Sequence, residues 1–119
     1  MSKKIAEPTK LPRERTYIVG VEFHHEDNYL TLEESLIELK MLAATAGLTI
    51  VGQSIQKLEK PYVQTFIGPG KIDEIKAIID EIGVDVLLFD NELHPRHLRE
   101  LEVIFGGSIK ILDRTALIL

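Results

Sequence analysis

Apolar positions along this 119-residue chain alternate between two rhythms, and the alternation outlines a fold. Residues 16–23, TYIVGVEF, are a nearly unbroken run of apolar, β-branched and aromatic residues, the pattern of a buried strand. HHEDNY, 24–29, interrupts it. Thr31 and Glu34 then supply a capping box, in which hydroxyl and carboxylate satisfy each other's backbone N–H groups at a helix start. Leu32, Leu36, Leu39 and Leu42 follow at helical spacing, with Ile37 and Ala43 flanking the stripe. Gly47 closes that helix, and TIVGQSI, 49–55, reads as the next strand. Strand, helix and strand in so short a span make a βαβ unit.

The second half repeats the alternation. KLEKPYVQ, 57–64, is a polar loop leading to a short strand over 65–67. Ile72, Ile75, Ile78, Ile79 and Ile82 mark one face of a helix that Gly83 ends. VDVLLFD, 84–90, is continuously apolar between its acids, the mark of a central parallel strand covered on both faces. A third helix spans 94–105, with Pro95 at its first position, where the missing N–H costs nothing. Gly106 and Gly107 stop it before the strand SIKIL, 108–112. Asp113 offers an N-cap to a new helix beginning RTALIL, and the sequence stops mid-pattern, as at a domain boundary.

The expected fold is therefore α/β, a mainly parallel sheet of four to five strands with helices on both faces. Residues 1–14 carry Lys3, Lys4, Lys10 and Arg13 among prolines and few large apolar groups, and read as a flexible tail. Residues 15–112 make the domain, and 113–119 begin the next helix.

Composition narrows the chemistry. The absence of cysteine excludes disulfides, a thiolate nucleophile and thiolate metal sites. No signal peptide and no apolar stretch of membrane-spanning length is present, so a soluble cytoplasmic protein is expected, and it is taken to be a monomer. A net charge of −5 argues against a domain that coats nucleic acid indiscriminately, which needs many lysines and arginines, though a local basic patch is compatible with it.

TFIGPGKIDEI, 65–75, has the order strand, glycine turn, lysine, helix that suggests a phosphate cradle. A P-loop needs four residues between its glycines and Ser or Thr after the lysine; here one residue separates Gly68 from Gly70, and Ile72 follows Lys71. The dinucleotide fingerprint would put its third glycine at Asp73, whose side chain and charge oppose it, and Pro69 removes a backbone donor. The alternative is that the glycines turn the chain, while Asp73 and Glu74 favour the helix start through its dipole. Asp90 has the position of a phosphoacceptor carboxylate, with Glu26 and Asp27 as metal-binding acids, but the two further strand–helix units such chemistry requires do not follow. Asp90, Asn91 and Glu92 then read as an acidic turn. His94 and His97 lack a fourth ligand at diagnostic spacing, and neither Ser35, Ser54, His24 nor His25 has a catalytic partner in sequence. No catalytic residue and no metal site are expected.

The cations are informative by position. Lys57, Lys60 and Lys71 surround the glycine turn, and Arg96 and Arg99 lie one helical turn apart. In a parallel sheet Lys71, Arg96 and Arg114 all follow strands, and so share the edge where open α/β sheets place ligands. These six residues form a candidate surface for RNA phosphate.

FIGPGKIDEI, FDNELHPRHLRELE and DRTALIL resemble, in order and spacing, segments of the N-terminal domain of HflX-type GTPases, over about Tyr17 to Leu119. The resemblance maps that family's motifs to Gly68, Gly70 and Lys71, to Asp90, Glu92, Leu93, Pro95 and Arg99, and to Asp113, Arg114 and Thr115. It implies a domain preceding a helical linker and a GTP-hydrolysing domain, in a protein that associates with the large ribosomal subunit and its rRNA and acts in ribosome splitting, rescue or biogenesis under stress. GTP and Mg2+ would belong to that further domain, and this chain would hold no cofactor and hydrolyse nothing alone. Two departures stand out. His94 replaces a common Ser and should cap its helix less well, and Glu100 replaces a usual amide. A ribosome-docking module is the first expectation; a small nucleotide-binding domain using residues 68–71, or a structural lever contacting only linker and GTPase domain, are the alternatives.

Overall fold

The computed structural model describes residues 14–24 and 31–118, so the tail expected over 1–14 and the break after His24 lie almost wholly outside the described residues. Eight elements follow in chain order: β1 (Arg15–Phe23), α1 (Leu32–Thr45), β2 (Thr49–Leu58), α2 (Pro69–Ile82), β3 (Val86–Phe89), α3 (Pro95–Phe105), β4 (Lys110–Asp113) and α4 (Arg114–Ile118). The four strands form one parallel sheet in the order β2-β1-β3-β4. Parallel neighbours demand crossovers, and α1, α2 and α3 supply them.

Side-chain alternation along the strands sorts the core into two layers. Tyr17, Val19 and Val21 of β1, with Leu87 and Phe89 of β3 and Ile111 of β4, pack under Ile72 and Ile75 of α2 and Leu101 of α3. Ile18, Val86 and Leu88 point the other way, against Leu36, Leu39 and Ala43 of α1, with Leu117 of α4 at the margin. Residues 86–89 are entirely buried, which is why that run shows no alternation in sequence. The helix covering the sheet changes side after the first crossover, so the strand order reverses between β1 and β3. That reversal is the topological switch point of the sheet.

Several boundaries move for physical reasons. β2 extends to Leu58 because its ladder with β1 continues to Phe23↔Leu58, through polar residues acceptable on an edge strand. No strand forms over 65–67. Tyr62 and Phe66 instead make an isolated antiparallel bridge, and Phe66 adopts φ 68, a left-handed conformation that no strand contains. The short strands narrow to 86–89 and 110–113. Ile37, expected on the buried stripe, is 59% exposed, because the face meeting the sheet is centred on Leu36, Leu39 and Ala43.

The glycine turn also differs. Gly68 is the N-cap of α2 in an ordinary extended conformation (φ −73, ψ 158), and Gly70 already lies inside the helix. What distinguishes position 68 is tight space: a Cβ there would lie 3.1 Å from both the Gln56 amide and the Tyr62 ring, which would have to shift by a few tenths of an ångström. Because α2 starts at Pro69, Asp73 and Glu74 fall beyond its first turn and do not serve its N-terminal dipole.

Candidate functional site at the carboxyl edge of the sheet

β3 delivers Asp90 to the switch point, where its carboxylate is buried. Its Oδ2 accepts a hydrogen bond from Ser35 Oγ of α1 at 2.7 Å. Its Oδ1 accepts from Arg114, at 2.7 Å from Nη2 and 3.2 Å from Nε. Nη2 also donates to the Ser35 carbonyl at 2.7 Å, and Nη1 pairs with Glu38. Burial alone would lower the Arg114 pKa, but the bonds and charge of Asp90, then those of Glu38, outweigh it and raise the pKa above its ordinary value. Arg114 therefore faces the domain's own acids.

Next to this cluster Asn91 closes the gap between β1 and β3. Val21 N–H donates to Asn91 Oδ1, and Asn91 Nδ2 donates to the Val21 carbonyl, both at 3.0 Å. The side-chain amide thus continues the ladder past the last backbone pair, Val19↔Phe89.

Asp113 works on the other side. Oδ2 accepts the Leu93 amide at 2.9 Å and Oδ1 accepts the Ala116 amide at 3.2 Å, so one carboxylate fixes the turn after β3 and caps α4. Thr115 Oγ1 donates to Glu92 at 3.4 Å. The segments around 90–95 and 113–115, separate in sequence, interlock here as one polar seam.

His94 caps α3 despite the substitution: its Nδ1 accepts the Arg96 amide at 3.1 Å, while Pro95 fills N1. His97, one turn on, is buried, and its Nε2 sits 3.0 Å from the Val63 carbonyl. That contact makes Nε2 the donor and leaves Nδ1 as the acceptor, which is buried with no partner among the described residues. Burial is the main cause that pushes the His97 pKa below its ordinary value; the Val63 hydrogen bond opposes this, and the charges of Arg96 and His94 add to it. Phe66 stacks edge-on against both His97 and Phe23, at 5.4 and 5.8 Å between ring centroids, so His97 anchors the 59–67 loop to α3.

The remaining cations divide into two sets. Lys71 lies within 3.2 Å of Glu74, which is 3.4 Å from Ser54; Ser54 in turn bonds the Tyr17 hydroxyl, a polar chain from the glycine turn into the core. Lys57 makes a 3.8 Å ion pair with Glu22, loose and exposed. Lys60, Arg96 and Arg99 are exposed and have no ion-pair partner among the described residues. At the tip of the loop Tyr62 and Val63 are exposed beside a groove of about 510 Å³ that runs to Pro69, Ile72 and Ile104.

Sequence reasoning placed Arg114 on this edge and Asp90 at the end of its strand, and gave Glu92, Leu93, Asp113 and Thr115 as motif positions, without their contacts with one another. Ser35, Glu38 and Asn91 carry no signal of their own, since their roles depend on partners 55 to 79 residues away. Among the described residues no group of three or more His, Cys, Asp or Glu is placed to hold a metal ion.

A family profile described as "GTP-binding GTPase N-terminal" matches residues 33–119. The chain is 42% identical over 106 residues to the "GTPase HflX" of Flavobacterium psychrophilum, covering 89% of this chain and 25% of that protein. It is 34% identical over 86 residues to the "GTPase HflX" of Escherichia coli, covering 72% of this chain and 20% of that protein. It thus spans about a quarter or less of the length of these relatives. Among solved structures, a GTP-binding protein from the archaeon Sulfolobus solfataricus in complex with GDP superposes with a TM-score of 0.60 at 24% identity, over 87% of this chain and 29% of that one. A variant of SsGBP, G235S, gives 0.64 at 20% identity over 86% and 30%. Both likenesses are of fold.

Proposed function

Because the chain belongs to the GTP-binding GTPase N-terminal family, in the form found in HflX-type GTPases, we propose that it is a docking domain that positions such a GTPase on the large ribosomal subunit. In this reading GTP and Mg2+ are bound, and GTP is hydrolysed, by a domain outside these 119 residues, for which this sequence carries no P-loop. The domain itself makes backbone and shape contacts with rRNA through its carboxyl edge, as a cytoplasmic monomer whose parent acts in ribosome splitting, rescue or biogenesis under stress.

The observation that carries the reading is the filled switch point. Open α/β sheets bind small ligands in the crevice where strand order reverses. Here Asp90, Arg114, Ser35 and Asn91 occupy that crevice with bonds to one another and to β1. Lys60, Arg96 and Arg99 are exposed cations without an ion-pair partner among the described residues, which suits the phosphates of a large partner rather than an enclosed nucleotide. Lys57 and Lys71 contribute less, each beside its own carboxylate.

Co-sedimentation of the chain with purified large subunits tests this. Binding that falls as salt rises, with no heat on titration of ATP, GTP or NAD into the domain, is the expected result. A purely structural lever would not sediment, and nucleotide heat would point back to residues 68–71.

A further inference from the structure

Arg114 is the first residue of α4 and directly follows Asp113, the last of β4, so no loop separates strand from helix. Two kinds of contact then act on α4. Asp113 accepts the Ala116 amide, which fixes where the helix begins. An N-cap does not fix the direction in which the axis swings, and the Leu117 packing against α1 is apolar and non-directional. Directional contacts come from the long, exposed 3.4 Å bond of Thr115 to Glu92 and, shorter and in greater number, from the Arg114 guanidinium. Its planar fork bonds Asp90 Oδ1 at 2.7 and 3.2 Å, the Asp90 carbonyl at 3.3 Å, the Ser35 carbonyl at 2.7 Å and Ser35 Oγ at 3.0 Å, and it pairs with Glu38.

We propose that Arg114 is a positioning residue that sets the direction in which α4 leaves the sheet, so that filling the crevice between β1 and β3 and orienting α4 are one structural event. The same guanidinium performs both tasks, joining β3, through Asp90, to α1, through Ser35 and Glu38. A lysine supplies the charge but not the fork, which makes Arg114→Lys the informative change. Linkage makes the effect reciprocal: a group that competes for Asp90 releases α4, and a load on α4 opens the crevice.

The test is solution NMR on the 119-residue chain, with residual dipolar couplings for residues 114–118 and 86–89 and amide exchange at Ala116 and Leu93. In the wild type both segments fit one alignment frame. In Arg114→Lys, residues 114–118 leave the frame of β3 and Ala116 exchanges at least roughly tenfold faster, the factor equivalent to one charge-assisted hydrogen bond of about 1.4 kcal/mol. Leu93 exchange stays within about twofold, because Leu93 and its acceptor Asp113 both lie outside α4 and do not move with it, whereas Ala116, bonded to the same carboxylate, moves with the helix. Residues 114–118 remaining in the sheet frame in Arg114→Lys would overturn the proposal. Should that variant unfold, Ser35→Ala decides on the same readouts. It leaves every charge in place, and is expected to weaken the common frame and speed Ala116 exchange; unchanged couplings there would equally overturn it.

Discussion

Asn91 grips Val21 by both ends of its peptide-like side chain, one 3.0 Å bond in each direction, and so stands in for the strand residue that β3 lacks. Only an amide can donate and accept at this spacing. Asn91→Asp keeps size and shape but sets a carboxylate oxygen against the Val21 carbonyl. It is expected to cost about 1–3 kcal/mol, measured as a lower urea midpoint at unchanged m-value. A midpoint equal to that of the wild type would show that the β1–β3 seam closes without the amide.

The two glycines nearest Tyr17 and Lys71 should behave oppositely. A Cβ at Gly52 would lie 2.8 Å from the Tyr17 ring, which lies over β2 to reach Ser54. Gly52→Ala is expected to destabilise by about 1–3 kcal/mol, since the ring cannot move without giving up that bond. Around Gly70 a Cβ meets nothing within 4 Å, and the residue is helical. Gly70→Ala should be neutral or stabilise by up to about 1 kcal/mol in thermal denaturation. If the same variant loses ribosomal subunits, glycine at 70 serves close backbone approach by a partner.

His97 makes the 59–67 loop acid-sensitive. Its pKa is lowered in the folded protein, so between that lowered value and the unfolded value of about 6.5 the unfolded chain binds more protons. Stability therefore rises with pH across that window, and is lost as pH falls below about 6.5. His97→Gln, which retains a donor for the Val63 carbonyl, should flatten the pH dependence of the thermal midpoint between pH 7.5 and 5 relative to wild type. Parallel profiles for the two proteins would remove His97 as the cause.

Charge reversal separates the cations. Arg99→Glu or Lys60→Glu should weaken binding to large subunits by roughly tenfold and reduce the salt slope by about one unit each, as expected for a lost phosphate contact. Lys71→Glu should change binding less, because Lys71 already lies against Glu74. Equal effects at all three sites would mean that only net charge matters, and no effect at any would sink the phosphate-contact reading.

How far the sequence reached follows from the range of the interactions it had to encode. The helix starts at Thr31 and Pro95 and the stops at Gly47, Gly83 and Gly106 are local signals, and each appears within the structure at its expected place. The capping box at Thr31 forms in full, with both bonds present. The buried run at 86–89 was legible because a strand covered on both faces leaves no polar alternation. The Phe66 turn was not, because a left-handed phenylalanine is a local cost met by distant contacts with Phe23 and His97. The polar seam was legible as residues but not as geometry. Asp90 and Arg114 looked like an acidic turn and a free cation, and only the approach of α1 and α4 turns them toward each other. His94 shows the converse case, in which a poor cap by type proves adequate because its ring nitrogen reaches the Arg96 amide.

β2 occupies the margin of the sheet: nine of its ten residues ladder with β1, Val51 being skipped at a register shift, and it has no other strand partner among the described residues. Its other flank is a row of backbone donors and acceptors of the kind that recruits a foreign strand. Exposed Gln53 and Lys57 on this edge strand, with Pro61 shortly beyond, make recruitment unfavourable, since an incoming chain would have to strip water from an amide and an ammonium. The resistance of this edge to strand addition therefore rests on the polar residues of β2. Replacing Gln53 and Lys57 by valine would leave the packed layers as they are while giving the molecule an adhesive border along which copies could polymerise.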